Sequence, residues 1–293
     1  MENINVEVVK KLKNGKQIIK VIKEIKISKK NEVISKKIEK YTLKDKNGIL
    51  NILDLNGNIS GIQYFDNYQI DEFGNIIIAI RKDGKEFYER ILSKFDLSET
   101  NDRIVEEYFG KPNIDIFGPE RKVISPTKTI DDIIPKSYYF NYGVINQDGL
   151  LSIYPSYDYM EFGNENSCIV GLFEGYGMIY GYNDIITGEA ITPVCFSKTS
   201  EFYNKRASVK YNDRYGYVDR DKIMENPENK DDYATNLSPR YFRATDFVDG
   251  QAIVCYSKPN PFEGAGNMKI DVNGQTIDYN CSNTYVKKHK KIR

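Results

Sequence analysis

From residue 142 onward one ordered set of residues recurs, and this recurrence constrains the fold more than any other feature of the chain. Tyr142-Gly143-Val144-Ile145 leads through Asn146-Gln147-Asp148-Gly149 to Ile153-Tyr154-Pro155, then Tyr157-Asp158 and Phe162. A second copy reads Tyr176-Gly177-Met178-Ile179, Gly188, Ile191-Thr192-Pro193, Phe196, Phe202 and Ala207-Ser208-Val209. A third runs from Arg214 to Asp219 and, after a long insert, through Phe247, Gly250 and Ala252-Ile253-Val254; a fourth is cut short over 268–277. Gly143, Gly177 and Gly216 stand 34 and 39 residues apart, and Pro155 and Pro193 stand 38 apart. The period is about 35 to 50 residues. Each copy predicts a strand, a polar Gly turn, a second strand stopped by Pro, and a third strand passing from an aromatic residue into a Val-containing run. One such unit cannot bury its own apolar face, so neighbours must share a core.

The earlier part of the chain divides by the same signals. Residues 46–81 carry Asn47-Gly48 and Asn56-Gly57 around a short apolar run, then Ile76 to Ile80 after Gly74, a β-meander signature. Phe87, Ile91, Leu92 and Phe95, then Ile104, Val105 and Tyr108, fit helical spacing, so residues 83–109 are expected to be helical and to end at Gly110-Lys111-Pro112. Residues 1–45 fit two patterns. Ile18, Val21, Ile22 and Ile25 have helical spacing, whereas Ile19, Val21, Ile25 and Ile27 alternate, and Asn14-Gly15 reads as a two-residue hairpin turn. Strands are the favoured expectation. The fold class is therefore mainly β, with repeated antiparallel hairpin or meander units and a small helical insertion. The expected segments are a basic N-terminal segment 1–45, a first repeat with its helical insertion 46–110, a Pro-containing connector 111–141, the repeat domain 142–286 and a basic tail 287–293.

In this order of features the chain resembles the WG-repeat, or KWG-repeat, family, whose unit carries an aromatic-Gly pair, a Gly turn, I-x-P, an aromatic-Asp pair, and F with G-x-A-x-V. The likeness covers 46–81 and 142–280 and is carried best by Arg214 to Asp219 and Tyr142 to Asp158. The family's Trp is replaced by Tyr142, Tyr176 and Tyr215, and the chain has no Trp at all. The resemblance implies a bacterial β-rich repeat module that binds proteins and brings no active-site residues with it.

Charge separates along the sequence. The formal net charge is zero, from 42 Lys and Arg against 42 Asp and Glu. Residues 1–40 hold twelve Lys and five Glu, a net +7, and residues 287–293 carry five cationic side chains, which leaves −12 on residues 41–286. Lys29, Lys30, Lys36, Lys37, Lys287, Lys288, Lys290, Lys291 and Arg293 are the candidate partner- or phosphate-contacting residues. Lys outnumbers Arg 32 to 10, which disfavours bidentate reading of guanine.

Catalytic constellations are absent from the sequence pattern. The lone histidine, His289, lies in the basic tail, which removes most His-dependent mechanisms. Cys168, Cys195, Cys255 and Cys281 have neither zinc-site nor disulfide spacing and read as reduced buried thiols. The pairs Asp131-Asp132 and Asp231-Asp232 read as solvated loop charge. Asp54-Leu55-Asn56-Gly57-Asn58 begins like a calcium loop, but its twelfth position is Phe65 where a bidentate Glu is needed, so it reads as a turn. Gly171, Gly175 and Gly177 lack phosphate-loop order and read as turn glycines.

No signal-peptide core and no apolar run of membrane-spanning length occurs, and the expectation is a cytoplasmic protein with no membrane partner. Ile, Lys and Asn, with 37, 32 and 27 copies, favour AT-rich codons and point to a low-GC bacterium or its phage. The functional expectation is a non-enzymatic β-repeat module, without a cofactor, that binds a protein partner through its loops and insertions 98–140 and 222–242. RNA or a ribonucleoprotein is a second expected partner, through the basic ends. The alternative is a phage- or mobile-element inhibitor of a host nucleic-acid-handling defence enzyme such as an RNA-guided nuclease. The third reading is a hydrolase whose site the sequence does not reveal.

Overall fold

A computed structural model describes residues 2–29, 32–82, 139–174, 177–221, 240–256 and 266–279, except for the side chains of 2, 27–29, 32–34 and 36. The expected helix over 83–109 lies outside these residues. So do Asp131-Asp132, Asp231-Asp232, Cys281, the basic tail and nearly all of both insertions.

The described chain is mainly β and almost entirely antiparallel. Strands β1 (Glu2–Lys11), β2 (Gln17–Lys29) and β3 (Glu32–Lys44) form one meander in the order β1-β2-β3. Strands β4 (Leu53–Asp54), β5 (Asn67–Ile70), β6 (Ile76–Arg81), β7 (Phe140–Ile145) and β8 (Leu150–Tyr157) form a second sheet in the order β4-β8-β7-β6-β5, where only the short β4 runs parallel to its neighbour. Strand β7 opens at Phe140, inside the segment expected as connector.

Three further meanders follow. They are β9 (Tyr159–Phe162), β10 (Ser167–Glu174) and β11 (Gly177–Asp184); β12 (Lys198–Thr199), β13 (Arg206–Tyr211) and β14 (Arg214–Asp219); and β15 (Arg243–Ala244), β16 (Gln251–Cys255), β17 (Asn267–Asp271) and β18 (Thr276–Tyr279). The chain falls into two compact units, the first essentially residues 1–160 and the second essentially 161–293, with residues 173–176 and 185–188 belonging to the first. In the first unit Ile18, Leu43, Ile52, Phe65, Ile76 and Ile145 form a buried cluster. In the second, Tyr217, Tyr241, Phe247, Ala252, Val254 and Ile270 do the same.

The repeat is visible in hydrogen bonds as well as in strands. Tyr41 bridges Phe65, Tyr180 bridges Phe196 and Tyr215 bridges Tyr241, each as one antiparallel rung, and Tyr142 stands opposite Tyr157 in the β7–β8 register. The Tyr182 hydroxyl donates to the Ser200 carbonyl at 2.7 Å while its ring meets Phe202 at 4.8 Å; the Tyr217 hydroxyl donates to the Thr245 carbonyl at 2.7 Å while its ring meets Phe247 at 4.8 Å. Tyr180-Gly181-Tyr182 is thus the counterpart of Tyr215-Gly216-Tyr217. Gly177 is therefore not the repeat glycine expected from the sequence: it opens β11 with open space around its α-carbon, whereas Gly143 and Gly181 lie against the backbone near Pro155 and Pro193. Pro155 does not stop its strand but lies within β8, opposite Gly143 where the register shifts. Gly171 is a residue of strand β10 rather than a turn glycine.

Turn chemistry accounts for the polar spacers. Asp54, Asp71, Asn146 and Asp271 each start a tight loop in which the glycine three residues on donates its N–H to their carbonyl. Their side-chain Oδ1 accepts backbone N–H groups from two and four residues on, at 2.8–3.1 Å. These bonds replace the ladder where the chain reverses. They also give Asp54 its role, and its carboxyl is held below the usual range chiefly by the Asn58 side chain. The first hairpin is a loop of the same kind: Gly15 donates to Leu12 at 3.0 Å and Leu12 to Lys16 at 2.8 Å, so the reversal needs five residues and not the two expected.

A second turn class lacks glycine. Asn204-Lys205 and Asn212-Asp213 hold positive φ at both positions, +52° and +63°, then +46° and +62°. This is the left-handed pair that a two-residue hairpin requires and that non-glycine residues resist. Asp213→Gly is expected to stabilise the protein by about 0.5–1 kcal/mol, since the lost surface pair with Lys210 contributes little. A rise of about 1–2 °C in the thermal midpoint would show it.

Candidate interaction surface

The N-terminal sheet brings together the expected lysines and residues that the sequence reading passed over. β2 pairs with β3 over thirteen consecutive positions, from Gln17↔Lys44 to Lys29↔Glu32. At its base both faces are buried: Ile18 and Leu43 join the unit's core on one side, and Ile19 and Thr42 are buried on the other. Further out, residues 20–25 and 38–40 are half-buried, and every side chain from Asn3 to Lys11 on β1 is exposed.

Register assigns the two faces different chemistry. Ile4, Val6 and Val8 lie opposite Lys23, Val21 and Ile19, and these lie opposite Ile38, Lys40 and Thr42. That face is aliphatic with two lysines, and Ile4, Val6 and Val8 are 63%, 50% and 47% exposed. Such side chains contiguous on an otherwise polar surface mark a contact site. The opposite face carries an ion network, with Glu39 2.6 Å from Lys20 and 2.7 Å from Lys37. The two ammonium groups, Lys20 first, hold the Glu39 carboxyl below its ordinary range.

Of the expected contact residues, Lys29 and Lys36 lie on β2 and β3 and Lys37 is exposed beside Glu39. Lys30 and the five tail residues Lys287, Lys288, Lys290, Lys291 and Arg293 lie outside the described residues. Ile4, Val6 and Val8 were missed, although their strict alternation was the signal that could have found them. Residues 1–40 contain neither an aromatic residue nor an arginine. The sheet's one ring among the described residues, Tyr41 on β3, packs against Phe65 and Tyr68, which leaves residues 1–40 without a ring to stack on a base or a fork for a guanine edge.

The second unit holds a pocket of about 630 Å³ lined by Ser200, Ser208, Thr245, Asp246, Ile253 and Lys269 among others. The Ser208 hydroxyl donates to Asp246 Oδ1 at 3.0 Å and lies 3.0 Å from the Ser200 hydroxyl. Burial, then Glu161, raises the pKa of the neighbouring Glu201. The lining has hydroxyls, carboxylates and an ammonium group, but neither an imidazole nor a thiol to act as base or nucleophile. Burial pushes the Cys168 thiol up to about 12 and the Cys195 thiol to about 11, away from the thiolate form. Among the described residues no group of three His, Cys, Asp or Glu side chains is placed to hold a metal, and no helix is long and apolar enough to cross a membrane. Neither a known protein family nor a curated protein matches this chain.

Proposed function

We propose that the protein is a non-enzymatic β-repeat module that binds another protein, and that the aliphatic, lysine-bearing face of the N-terminal sheet makes the contact. One observation carries this reading: Ile4, Val6 and Val8 stand exposed on one face of a sheet whose outer half, among the described side chains, has no buried residue. A three-stranded sheet gains stability by covering its apolar face, and the chemistry of this face suits an aliphatic partner surface. The repeated meanders support the likeness to WG-repeat modules, which implies the same class of function. The insertions lie almost wholly outside the described residues, so the proposal rests on the sheet and not on them.

The double variant Ile4→Lys/Val6→Lys separates protein from nucleic acid as the partner. Added positive charge strengthens a phosphate contact but destroys an aliphatic one. In pull-downs from cells of the source organism, protein partners are expected to survive nuclease treatment and to be lost with the double variant. If nuclease releases every partner, or the variant binds nucleic acid more tightly than the wild type binds its partner, the proposal fails.

A further inference from the structure

The pocket of the second unit is lined by parts of two successive repeats that correspond hydrogen bond for hydrogen bond. The Ser200 N–H donates to the Ser208 carbonyl and the Thr245 N–H to the Ile253 carbonyl, each at 3.0 Å. The Ser200 and Thr245 hydroxyl oxygens accept the N–H groups of Ser208 and Ile253 at 2.9 and 3.0 Å. Ser208 and Ile253 thus hold one position of the repeat, and Glu201 and Asp246, each following its hydroxyl residue, hold another. The shared bonds use only the backbone of the first position, and isoleucine satisfies it in one copy. The other copy carries Ser208, 9% exposed, whose hydroxyl donates to Asp246 Oδ1 at 3.0 Å. That polar residue departs from what the scaffold accepts, and its hydroxyl orients a carboxylate in the pocket.

Charge in the pocket is unbalanced. Asp246 is half-buried, Asp249 is exposed at φ +51° in the Val248–Gln251 turn, and neither makes an ion pair among the described residues. Burial, then the like charges of Glu161 and Asp246, hold the neighbouring Glu201 carboxyl above its usual range. Lys269 is the one cation among the described lining residues, and it stands directly opposite Asp278, a carboxylate outside the lining, in the β17–β18 register. Val248, Ala252 and Ile253 add apolar surface. A volume of about 630 Å³ suits an organic molecule rather than a bare ion.

We propose that this pocket binds an alkylammonium group, with the ammonium at the Asp246 carboxylate, Asp249 adding negative charge, and the hydrocarbon against Val248, Ala252 and Ile253. A charged donor on an uncompensated carboxylate forms the stronger kind of hydrogen bond, and it relieves the repulsion that Glu201 feels. None of these residues belongs to the N-terminal sheet. A free amine and a lysine side chain of a protein both carry the group.

The test titrates the full chain with cadaverine, with pentanediol as its uncharged match, with magnesium chloride, and with a blocked peptide carrying one lysine. Cadaverine is expected to bind, and pentanediol to bind at least about tenfold more weakly because it lacks the charge; this comparison needs no variant. Asp246→Asn/Asp249→Asn keeps an acceptor for the Ser208 hydroxyl and a residue that tolerates the left-handed turn, and is expected to weaken cadaverine about tenfold at an unchanged thermal midpoint. A lysine peptide that binds more tightly than cadaverine assigns the group to a protein side chain, and the reverse order assigns it to a free amine. Equal binding of cadaverine and pentanediol, undiminished binding by the folded double variant, magnesium binding in place of the amines, or failure of both amines overturns the assignment.

Discussion

Replacing Asp158 with Asn is expected to destabilise the protein by about 3–5 kcal/mol, to be read by denaturant unfolding. The Lys82 ammonium lies 2.7 Å from Asp158 Oδ1 with both side chains fully buried, and the Phe173 N–H donates to Asp158 Oδ2 at 2.8 Å. An amide in place of the carboxylate preserves an acceptor for Phe173 but leaves a cation without its counter-charge in a medium that solvates it poorly. The double variant Lys82→Met/Asp158→Asn removes both charges, keeps an acceptor for the Phe173 N–H, and is expected to recover most of the loss, because the desolvation cost of a buried pair largely cancels its attraction.

The same motif provides an internal control. Asp66 accepts the Lys40 ammonium on Oδ1 and the Arg81 N–H on Oδ2 at 2.8 Å, fifteen residues downstream just as Phe173 is from Asp158. Here the side chains are 39% and 22% exposed, and Asp66→Asn is expected to cost about 1 kcal/mol or less. Equal losses at the two positions would show that burial does not set the difference.

The second large effect concerns the repeat glycines. A Cβ on Gly143 would lie 2.5 Å from the Ile153 carbonyl oxygen and 2.8 Å from the Pro155 nitrogen; on Gly181 it would lie 2.5 Å from the Pro193 carbonyl oxygen and 3.0 Å from the Val194 α-carbon. All four are backbone atoms of a neighbouring segment that cannot swing aside as a side-chain tip does. Gly143→Ala and Gly181→Ala are each expected to cost about 3 kcal/mol or more, at or above the upper end of ordinary overpacking. Gly177→Ala meets nothing within 4 Å and should change stability by less than about 0.5 kcal/mol. A large loss at Gly177 with a small one at Gly181 would restore the register expected from the sequence.

That register shows where sequence reasoning stopped. The period, the turns and the β class were legible because Asx and Gly at fixed offsets specify chain reversals through local hydrogen bonds. The phase was not, since Tyr176-Gly177 and Tyr180-Gly181 are both aromatic-Gly pairs four residues apart, and only packing against the Pro193 segment separates them. In the N-terminal segment Ile18 belonged to the helical spacing and its neighbour Ile19 to the alternating one; the structure resolves both on one strand that is buried on both faces there. On the candidate surface the lysines were evident from charge alone. The exposure of Ile4, Val6 and Val8 was not, because alternation shows that a strand has an apolar side without showing whether anything covers it.

The four aromatic rungs also say how this architecture can change. Tyr142 and Tyr157 are 15 residues apart, Tyr180 and Phe196 are 16, Tyr41 and Phe65 are 24, and Tyr215 and Tyr241 are 26, yet each pair meets across the same kind of rung. Lengthening a closed loop from the shortest span to the longest costs only about 0.5 kcal/mol in chain entropy, which one rung and its buried ring can offset. The span between rungs is thus a socket for foreign sequence: a peptide epitope grafted between Tyr180 and Phe196 should be carried with little loss of stability, at the position where another copy of the repeat already carries ten residues more.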